Sequence, residues 1–231
     1  MSKQAASDAH RLRGRFITFE GVEGSGKTTQ IERLAQRLTA AGADVVPTRE
    51  PGATALGREL RALLLRPAEQ PMSPTAELLL YLTDRAQHLT EVVEPALERG
   101  AIVLCDRFTD ATLAYQGYGR GLGVERVRAL HRHARLDRMP DRTVLFELDA
   151  AVALCRATRR NEIQELAATE GRFEQEQLDF HRRVAEGYRA LATAEPGRFR
   201  VIDAAGGVEQ VERRVREALR DLGSVLEDEA C

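Results

Sequence analysis

An eight-residue segment near the N-terminus has the composition and spacing of a phosphate-binding loop. The pattern GxxxxGK[ST] is fitted by Gly21-Val22-Glu23-Gly24-Ser25-Gly26-Lys27-Thr28, and Thr29 follows it. Glycines at these positions let backbone N–H groups turn toward phosphate oxygens, and the N-terminus of a following helix adds partial positive charge. Lys27 can reach the β- and γ-phosphates, while the Thr28 hydroxyl can bind a metal ion. The segment therefore predicts binding of ATP with Mg²⁺.

An aspartate and an arginine follow a short, uninterrupted apolar segment. Residues 101–105 have the pattern of a buried parallel strand, and Asp106 and Arg107 come directly after it. In P-loop enzymes an acid at such a strand end organises Mg²⁺ and its waters, and a guanidinium can bind a second phosphate through two parallel hydrogen bonds. The functional interpretation predicts a metal ligand at Asp106. An ordinary strand-end ion pair is the alternative.

Five apolar runs alternate with stretches of helical periodicity, which indicates how these residues are positioned. The runs cover residues 15–20, 44–48, 101–105, 143–148 and 199–202. Behind the glycine-rich loop, Ile31, Leu34 and Leu38 fall on one helix face, and Gly42 marks its end. Such alternation predicts the α/β class, as a three-layer P-loop NTPase fold with a five-stranded parallel sheet flanked by helices. Ligands bind at the carboxyl ends of such strands.

Composition argues against several functional classes. The 231 residues carry a net charge of −2, which does not favour nucleic acid as a partner. No apolar run approaches the ~18–20 residues that span a bilayer, and residues 1–15 lack the apolar segment of a secretory signal. Three widely spaced cysteines without a CxxC motif fit a reducing cytoplasm. We predict one cytoplasmic, membrane-free domain over residues 15–222, between a disordered tail at 1–14 and a tail at 223–231.

A phosphate-binding loop alone does not identify the reaction, because switches, motors, transporters and kinases share it. The guanine-recognition pattern Asn-Lys-x-Asp of GTPases is absent from the sequence. Residues 203–206 fit the switch pattern DxxG, but this short pattern lies far past its expected place. A chain of this size, with arginines spread through its second half, fits a kinase of small metabolites better.

Three further segments narrow the choice. They are Thr48-Arg49-Glu50-Pro51-Gly52-Ala53-Thr54, Ala76-Glu77-Leu78-Leu79-Leu80-Tyr81-Leu82-Thr83-Asp84-Arg85-Ala86-Gln87-His88 and Asp106-Arg107-Phe108-Thr109-Asp110-Ala111-Thr112-Leu113-Ala114-Tyr115-Gln116-Gly117-Tyr118-Gly119-Arg120. In order and spacing they resemble the bacterial thymidylate kinase family, from about residue 15 to residue 222. Ala53 and Ala111 depart from the family's glycine and serine. The resemblance implies transfer of a phosphoryl group from ATP to thymidine monophosphate (dTMP), giving the diphosphate.

The resemblance also implies which residues recognise the nucleoside. Tyr81 would stack on thymine where the family usually has phenylalanine, a contact worth about 1–3 kcal/mol. Arg85 would hydrogen-bond the base edge, with Thr112 and Gln116 near the base. Tyr115 would lie near the sugar and help to exclude a ribose 2′-hydroxyl. As structural alternatives, Tyr81 could be a core residue and Arg85 part of a solvated helix face.

A second set implied by the resemblance surrounds the acceptor phosphate. Arg61 and Arg107 would hold this phosphate, Glu23 would face the acceptor sugar, and Glu50 would line the same pocket. Two phosphate-bearing substrates repel each other, so arginines between them have a clear chemical purpose. No general base is needed, because a phosphate monoester oxygen is already a nucleophile near neutral pH. Arg61 could instead lie on a solvated helix face.

An arginine-rich segment at about 156–172 resembles the family's lid. Gly171-Arg172-Phe173-Glu174 matches the end of the lid except that glycine replaces aspartate. Since the phosphate-binding loop contains no arginine, the resemblance implies that lid arginines supply charge to the transferring phosphoryl group. Arg156 and Arg160 are the principal candidates, before Arg159 and Arg172. Residues 161–170 look helical and acidic, so a solvated helix face with i,i+4 charge pairs is the alternative.

The leading hypothesis is therefore a thymidylate kinase that acts as a homodimer, as the family typically does. Its predicted catalytic residues are Lys27, Asp106, Arg107, Arg156 and Arg160. Ala111 and Tyr81 leave open a kinase for another nucleoside monophosphate. A non-catalytic, nucleotide-binding regulator is the alternative from a different class.

Overall fold

A five-stranded parallel sheet forms the centre of the protein. The computed structural model describes residues 14–164 and 167–222, so the predicted tails (apart from Gly14) and residues 165–166 of the predicted lid lie outside the described residues. The strands are β1 (Phe16–Glu20), β2 (Val45–Arg49), β3 (Ile102–Asp106), β4 (Arg142–Glu147) and β5 (Phe199–Asp203). Their order is β2-β3-β1-β4-β5, with every neighbouring pair parallel. The predicted α/β class and sheet are confirmed.

Helices flank the sheet. They are α1 (Lys27–Ala40), α2 (Ala55–Leu65), α3 (Pro74–His88), α4 (Glu94–Glu98), α5 (Thr109–Thr112), α6 (Val124–His133), α7 (Ala150–Ile163), α8 (Ala167–Glu170), α9 (Leu178–Ala194) and α10 (Val208–Leu219). Two π-helical segments, Leu89–Val93 and Leu113–Gly119, follow α3 and α5, and a short 3₁₀ turn (Arg220–Leu222) follows α10. Within the described part of the chain, no helix has both the length and the apolar character required to cross a membrane.

Amphipathic helices cover the sheet as their periodicity predicts. On α1, Ile31, Leu34 and Leu38 are buried, and the helix contacts β2, β3 and α10. On α10, Val211 and the apolar residues that follow at helical spacing are buried. Val208 lies three residues before Val211 but is 42% exposed, because it is the first residue of the helix.

Prolines divide the long helical region between β2 and β3. Helix α2 ends at Leu65, and α3 begins at Pro74 after the segment that contains Pro67 and Pro71. The Ser73 hydroxyl caps α3 by accepting a hydrogen bond from the Ala76 N–H at 3.2 Å. Proline suits the first turn of a helix because its missing N–H has no partner there. The break allows α2 and α3 to pack against each other beside the carboxyl edge of the sheet.

The π-helical segment Leu113–Gly119 packs tightly on α9. A Cβ atom on Gly187 would lie 2.6 Å from the Tyr118 ring, and one on Gly119 would lie 2.8 Å from Phe180. Real side chains do not approach this closely, so the contact depends on glycine at both positions. This packing fixes the segment that carries Tyr115 and Gln116.

Candidate active site

One cavity of about 380 Å³ lies where the carboxyl ends of β1, β2 and β3 meet. Most residues predicted for the site line it: Glu23, Gly24, Gly26, Lys27, Thr28, Thr29, Glu50, Arg61, Tyr81, Arg85, Asp106, Arg107, Thr112, Tyr115, Gln116, Arg156 and Arg160. Gly21, Val22 and Ser25 do not, because they are buried in the base of the glycine-rich loop. This volume is within the usual range for small-ligand sites.

The glycine-rich loop is folded tightly between β1 and α1. Gly24 has a φ of +74°, and a Cβ atom there would lie 2.2 Å from the Ala153 carbonyl oxygen of α7. Lys27 turns back on the loop and donates hydrogen bonds to the carbonyl oxygens of Gly21 (3.1 Å) and Val22 (2.9 Å) and to Ser25 Oγ (3.1 Å). The backbone thus holds the ammonium group beside the place where a phosphate chain would lie.

Lys27 has an unusually low pKa for a lysine. Its side chain is buried, and burial together with the nearby Arg107 guanidinium lowers the pKa to about 8. The charged form is the one that attracts phosphate oxygens. In the free protein this lysine therefore changes charge just above neutral pH.

This pKa predicts a pH dependence of nucleotide binding. Below about pH 8 Lys27 is charged, and above it the neutral amine offers much less attraction, so ATP affinity should fall as pH rises from 7 to 9.5. Calorimetric titration across this range measures the fall. In an Arg107→Gln variant the fall should move to higher pH, because a charge that lowers the Lys27 pKa is removed. Affinity independent of pH in both proteins would contradict the assignment.

Thr28 and Asp106 form a pair with the chemistry of a magnesium site. Thr28 Oγ1 donates a hydrogen bond of 2.7 Å to Asp106 Oδ2. The other carboxylate oxygen, Asp106 Oδ1, is buried without a hydrogen-bond partner among the described residues. Mg²⁺ is usually held by one or two protein oxygens together with waters and substrate phosphates. The pair fits such an ion, and among the described residues no His/Cys/Asp/Glu cluster suggests a metal held by protein alone.

Arg107 occupies the middle of the cavity in a constrained conformation. Its backbone has a φ of +67°, which is uncommon for a residue other than glycine. Its guanidinium donates hydrogen bonds to the Gly21 carbonyl (2.9 Å), to Tyr188 Oη (3.2 Å) and to Glu23 Oε1 (3.0 Å), and it lies 4.8 Å from the centre of the Tyr115 ring. The side chain is thereby fixed between the glycine-rich loop and the acceptor end of the cavity.

Glu23 is the counter-ion of Arg107 inside the glycine-rich loop. Its second oxygen accepts a hydrogen bond of 2.6 Å from the Tyr115 hydroxyl. Burial alone would raise the pKa of Glu23, but Arg107, the Tyr115 hydroxyl and Lys27 lower it below its usual value. The carboxylate is therefore charged at neutral pH and holds both Arg107 and Tyr115 in place.

The far end of the cavity is a buried network around Arg85, whose side chain is only 1% exposed. Arg85 donates to Glu50 Oε2 through Nε (2.9 Å) and Nη2 (2.7 Å), and to Thr112 Oγ1 through Nη2 (3.0 Å). Its Nη1 lies 2.5 Å from His131 Nε2. His88 contacts the other Glu50 oxygen at 2.8 Å. Arg85 is thus a fixed part of the pocket and does not lie on a solvated helix face.

His131 is neutral in this network. Burial and Arg85 lower its pKa to about 4. Its Nδ1 lies 2.8 Å from the Val127 carbonyl oxygen and must donate to it, so Nε2 accepts from Arg85. The four contacts of Arg85 then use four of its five N–H groups. The remaining N–H, on Nη1, makes no hydrogen bond to a described residue, and Arg85 lines the cavity.

Arg61 is paired with the end of the predicted lid. Its guanidinium donates two hydrogen bonds to Glu170, of 3.2 and 2.6 Å, and a third of 3.2 Å to the Pro51 carbonyl. The Arg61 hydrogen bonds and charge outweigh partial burial in lowering the pKa of Glu170. The Glu170 carboxylate therefore accepts the hydrogen bonds that Arg61 was predicted to donate to a phosphate.

The predicted lid arginines are placed in different ways. Arg156 and Arg160 line the cavity from α7, and both are exposed. Arg159 and Arg172 do not line it. Arg172 is turned away, with hydrogen bonds to the Leu64 carbonyl (2.8 Å) and to the buried Glu77 carboxylate. Arg156 and Arg160 thus remain the candidates for charge near a donor phosphate.

Sequence reasoning missed several residues of this site. Glu170, Phe173 and Glu174 line the cavity, and His131 and Glu77 support it from behind. Glu77 lies inside a recognised segment, and a carboxylate among leucines is a signal that it has a buried partner. Phe173 and Glu174 lie in the segment that matches the end of the lid, whereas nothing local distinguished Glu170 and His131, because their partners are distant in the chain.

Known proteins resemble this chain over most of its length. The profile of the thymidylate kinase family matches residues 19–215. A thymidylate kinase from Solidesulfovibrio magneticus is 55% identical over 87% of this chain and 96% of its own length. One from Desulfovibrio desulfuricans is 54% identical, covering 88% of this chain and 94% of the relative. The chain belongs to the thymidylate kinase family.

A solved structure agrees with this membership. The crystal structure of thymidylate kinase from Ehrlichia chaffeensis superposes with a TM-score of 0.70 at 32% identity, covering 89% of this chain and 98% of that one. Membership of the thymidylate kinase family implies an enzyme that uses a nucleotide phosphate donor and small-molecule substrates. The predicted family and fold are thus confirmed, while the roles of individual residues stay predictions.

Proposed function

We propose that this enzyme transfers the γ-phosphoryl group of ATP to dTMP and forms the diphosphate, with Mg²⁺ as cofactor. The observation that carries the proposal is the arrangement of one cavity. The phosphate-binding loop with Lys27 lies at one end, the Arg85 network lies at the other, and Arg107 lies between them. Such a cavity suits two phosphorylated substrates placed end to end.

The donor end would hold the triphosphate through the loop N–H groups and Lys27. Thr28 and Asp106 would hold Mg²⁺, which shields phosphate charge when it is bound. Arg156 and Arg160, on α7 behind Gly24, would approach the γ-phosphate as the lid closes. We propose that residues 156–172 form this lid within a single catalytic domain at 15–222. Exclusion of water by closure would limit ATP hydrolysis.

The acceptor phosphate would lie against Arg107 and Arg61. A phosphate oxygen of dTMP attacks the γ-phosphorus, the bond to the β-phosphate oxygen breaks, and ADP leaves. Arg107 would hold the attacking phosphate in line, because it is fixed by Glu23 and by the Gly21 carbonyl. Catalysis then consists of positioning and charge stabilisation, with no side chain required as a general base.

The nucleoside would be recognised at the Arg85 end. The unused N–H on Arg85 Nη1 suits a carbonyl oxygen of the base, such as O4 of thymine. Tyr81 lines the same part of the cavity and would stack on the ring. Tyr115, held by Glu23, would limit the space beside the sugar and disfavour a ribose 2′-hydroxyl.

Coupled ATP consumption with Mg²⁺ tests the proposal directly. Thymidine, uridine, cytidine and guanosine monophosphates would be compared in deoxy and ribo forms. We expect strong preference for dTMP and little ATP hydrolysis without an acceptor. Preference for another nucleotide would support a kinase but contradict the proposed assignment of the base-recognising residues. Slow hydrolysis that no acceptor stimulates would favour a nucleotide-binding regulator.

The Arg61–Glu170 pair predicts that the lid competes with the acceptor phosphate. In a Glu170→Gln variant the neutral amide binds Arg61 less strongly, so the KM for dTMP should fall several-fold while kcat changes little. An Arg61→Gln variant should instead raise the KM by about tenfold or more, because a charged hydrogen bond to phosphate is lost. Steady-state kinetics with dTMP measures both. A higher KM in Glu170→Gln would contradict the competition.

We also propose that the enzyme is a cytoplasmic homodimer. Leu63 of α2 and Leu79 of α3 are 46% and 50% exposed beside the acceptor end of the cavity, where a second copy could cover them. Both cysteines within the described residues, Cys105 and Cys155, are unpaired, as expected in a reducing compartment. Sedimentation equilibrium tests the dimer, and a monomer at micromolar concentration would contradict it.

A further inference from the structure

A buried carboxylate lies behind the base end of the cavity. Glu77 of α3 is 0% exposed, yet it is not part of the predicted catalytic or binding set. Its Oε1 accepts a hydrogen bond of 2.7 Å from Gln116 Nε2 and one of 3.1 Å from Arg120 Nε. Arg172 donates a short hydrogen bond to the other oxygen. Burial of a charge costs free energy even when several donors surround it, so we expect this carboxylate to have a specific role.

The contact with Glu77 fixes which end of the Gln116 amide faces the cavity. A carboxylate can only accept hydrogen bonds, whereas an amide group has a donor end and an acceptor end. The NH₂ group of Gln116 must therefore point to Glu77. Its Oε1 points away and receives no hydrogen bond from any described residue, and Gln116 lines the cavity. Gln116 thus presents an acceptor to a ligand.

Glu77 itself cannot turn away from Gln116. Arg120 and Arg172 approach it from outside the cavity, with Arg120 Nη2 at 3.1 Å from Oε2. Arg120 is also paired with Glu176 at 2.6 Å. Arg172 is fixed by a further hydrogen bond to the Leu64 carbonyl. These bonds hold both carboxylate oxygens, so the orientation of Gln116 is set by a rigid group.

We propose that Glu77 is a positioning residue that sets the base preference of the enzyme by orienting Gln116. The inference rests on the proposed function and deepens it. An acceptor at Gln116 matches the N3–H donor of thymine or uracil and opposes the N3 acceptor of cytosine. The free N–H of Arg85 makes the same distinction, since O4 accepts where the cytosine amino group donates. Glu77 acts through Gln116 and does not touch the substrate.

Glu77→Gln predicts a specific change. The new amide has one acceptor oxygen, and the two arginines compete for it because they can only donate. Its NH₂ group is then left to face Gln116, whose amide turns over and presents NH₂ to the cavity. The variant should therefore bind cytosine better and thymine worse. Because Arg85 is unchanged and still favours thymine, the preference for thymine over cytosine should weaken but not reverse.

The test compares kcat/KM for dTMP and dCMP with saturating MgATP. We expect Glu77→Gln to lower the dTMP/dCMP ratio by about tenfold or more, as for the loss of one buried hydrogen bond at a specificity site. In a Gln116→Ala background the same substitution should not change the ratio further. An unchanged ratio in Glu77→Gln, or an equal drop in both backgrounds, would overturn the proposal.

A charge-balanced pair keeps the test independent of stability. Glu77→Gln places two guanidinium groups beside a neutral residue, whereas Glu77→Gln with Arg172→Gln removes one charge of each sign. This double variant should show the same lowered dTMP/dCMP ratio as Glu77→Gln. Arg172→Gln alone should keep the wild-type ratio, because Glu77 remains. A lowered ratio in Arg172→Gln and a wild-type ratio in the double variant would assign the effect to the lid and reject the role of Glu77. Wild-type protein inactive with every acceptor would instead contradict the proposed function itself.

Discussion

Replacement of Arg107 by alanine should lower kcat/KM for dTMP by a hundredfold to a thousandfold while ATP affinity stays nearly unchanged. The magnitude is that of removing one preorganised donor from a developing charge in a water-excluded site. Arg107 is held by the Gly21 carbonyl, Tyr188 and Glu23, while the loop itself is held separately by the hydrogen bonds of Lys27. Coupled kinetics and ATP calorimetry on one preparation measure the two effects.

The loss should not be a consequence of misfolding. The backbone at position 107 has a φ of +67°, and alanine is about as disfavoured there as arginine, so the substitution adds no strain of its own. It does leave Glu23 without its main counter-ion. Since Arg107 lowers the pKa of Glu23, that pKa should rise in the variant. Circular dichroism and thermal unfolding serve as controls.

Arg107→Lys distinguishes charge from geometry. Lysine keeps the positive charge but cannot form two parallel hydrogen bonds to a phosphate. Partial activity, between wild type and Arg107→Ala, is expected. Wild-type turnover in Arg107→Ala would reject the acceptor clamp, and loss of ATP binding in the same variant would move Arg107 to the donor end.

The parts of the fold that the sequence predicted are those with a local cause. Each strand lies within about one residue of its apolar run, because a parallel strand covered on both faces is buried almost continuously and needs an uninterrupted apolar segment. The glycine-rich loop is likewise a local motif whose φ values of +136° at Gly21 and +74° at Gly24 require glycine. The position of the loop after β1 could be predicted because the motif directly follows the first apolar run in the sequence.

The contacts that the sequence could not predict join distant residues. Arg61 and Glu170 are separated by 109 positions, and Glu77 and Arg172 by 95. Arg61, Glu170 and Arg172 each suit a solvated surface, which was the alternative for Arg61, and the leucines around Glu77 indicate a buried partner without identifying it. Only the fold shows that Glu170 pairs with the arginine predicted to bind phosphate, and that Glu77 accepts a hydrogen bond from the Gln116 amide. Residues that act on the site through distant partners can therefore be identified only from the structure.

Replacement of Lys27 by methionine should abolish phosphoryl transfer to every acceptor, with kcat reduced by about a thousandfold or more. Methionine has a similar length and suits a buried position, although it cannot replace the hydrogen bonds that Lys27 donates to the loop carbonyls. What is lost is the ammonium group that the loop carbonyls hold beside the proposed phosphate site. Its charge is needed most as negative charge develops on the leaving β-phosphate oxygen. Single-turnover transfer from labelled ATP measures this step.

The Lys27 and Arg107 variants should fail in different ways. Lys27→Met loses both ATP affinity and rate, whereas Arg107→Ala loses turnover with dTMP and retains ATP binding. Lys27→Arg restores the charge in a bulkier planar group, so it should recover affinity more than rate. Full activity in Lys27→Met would overturn the assignment of the loop. If both single variants lost only acceptor affinity, the donor would lie elsewhere in the cavity and the end-to-end arrangement would be wrong.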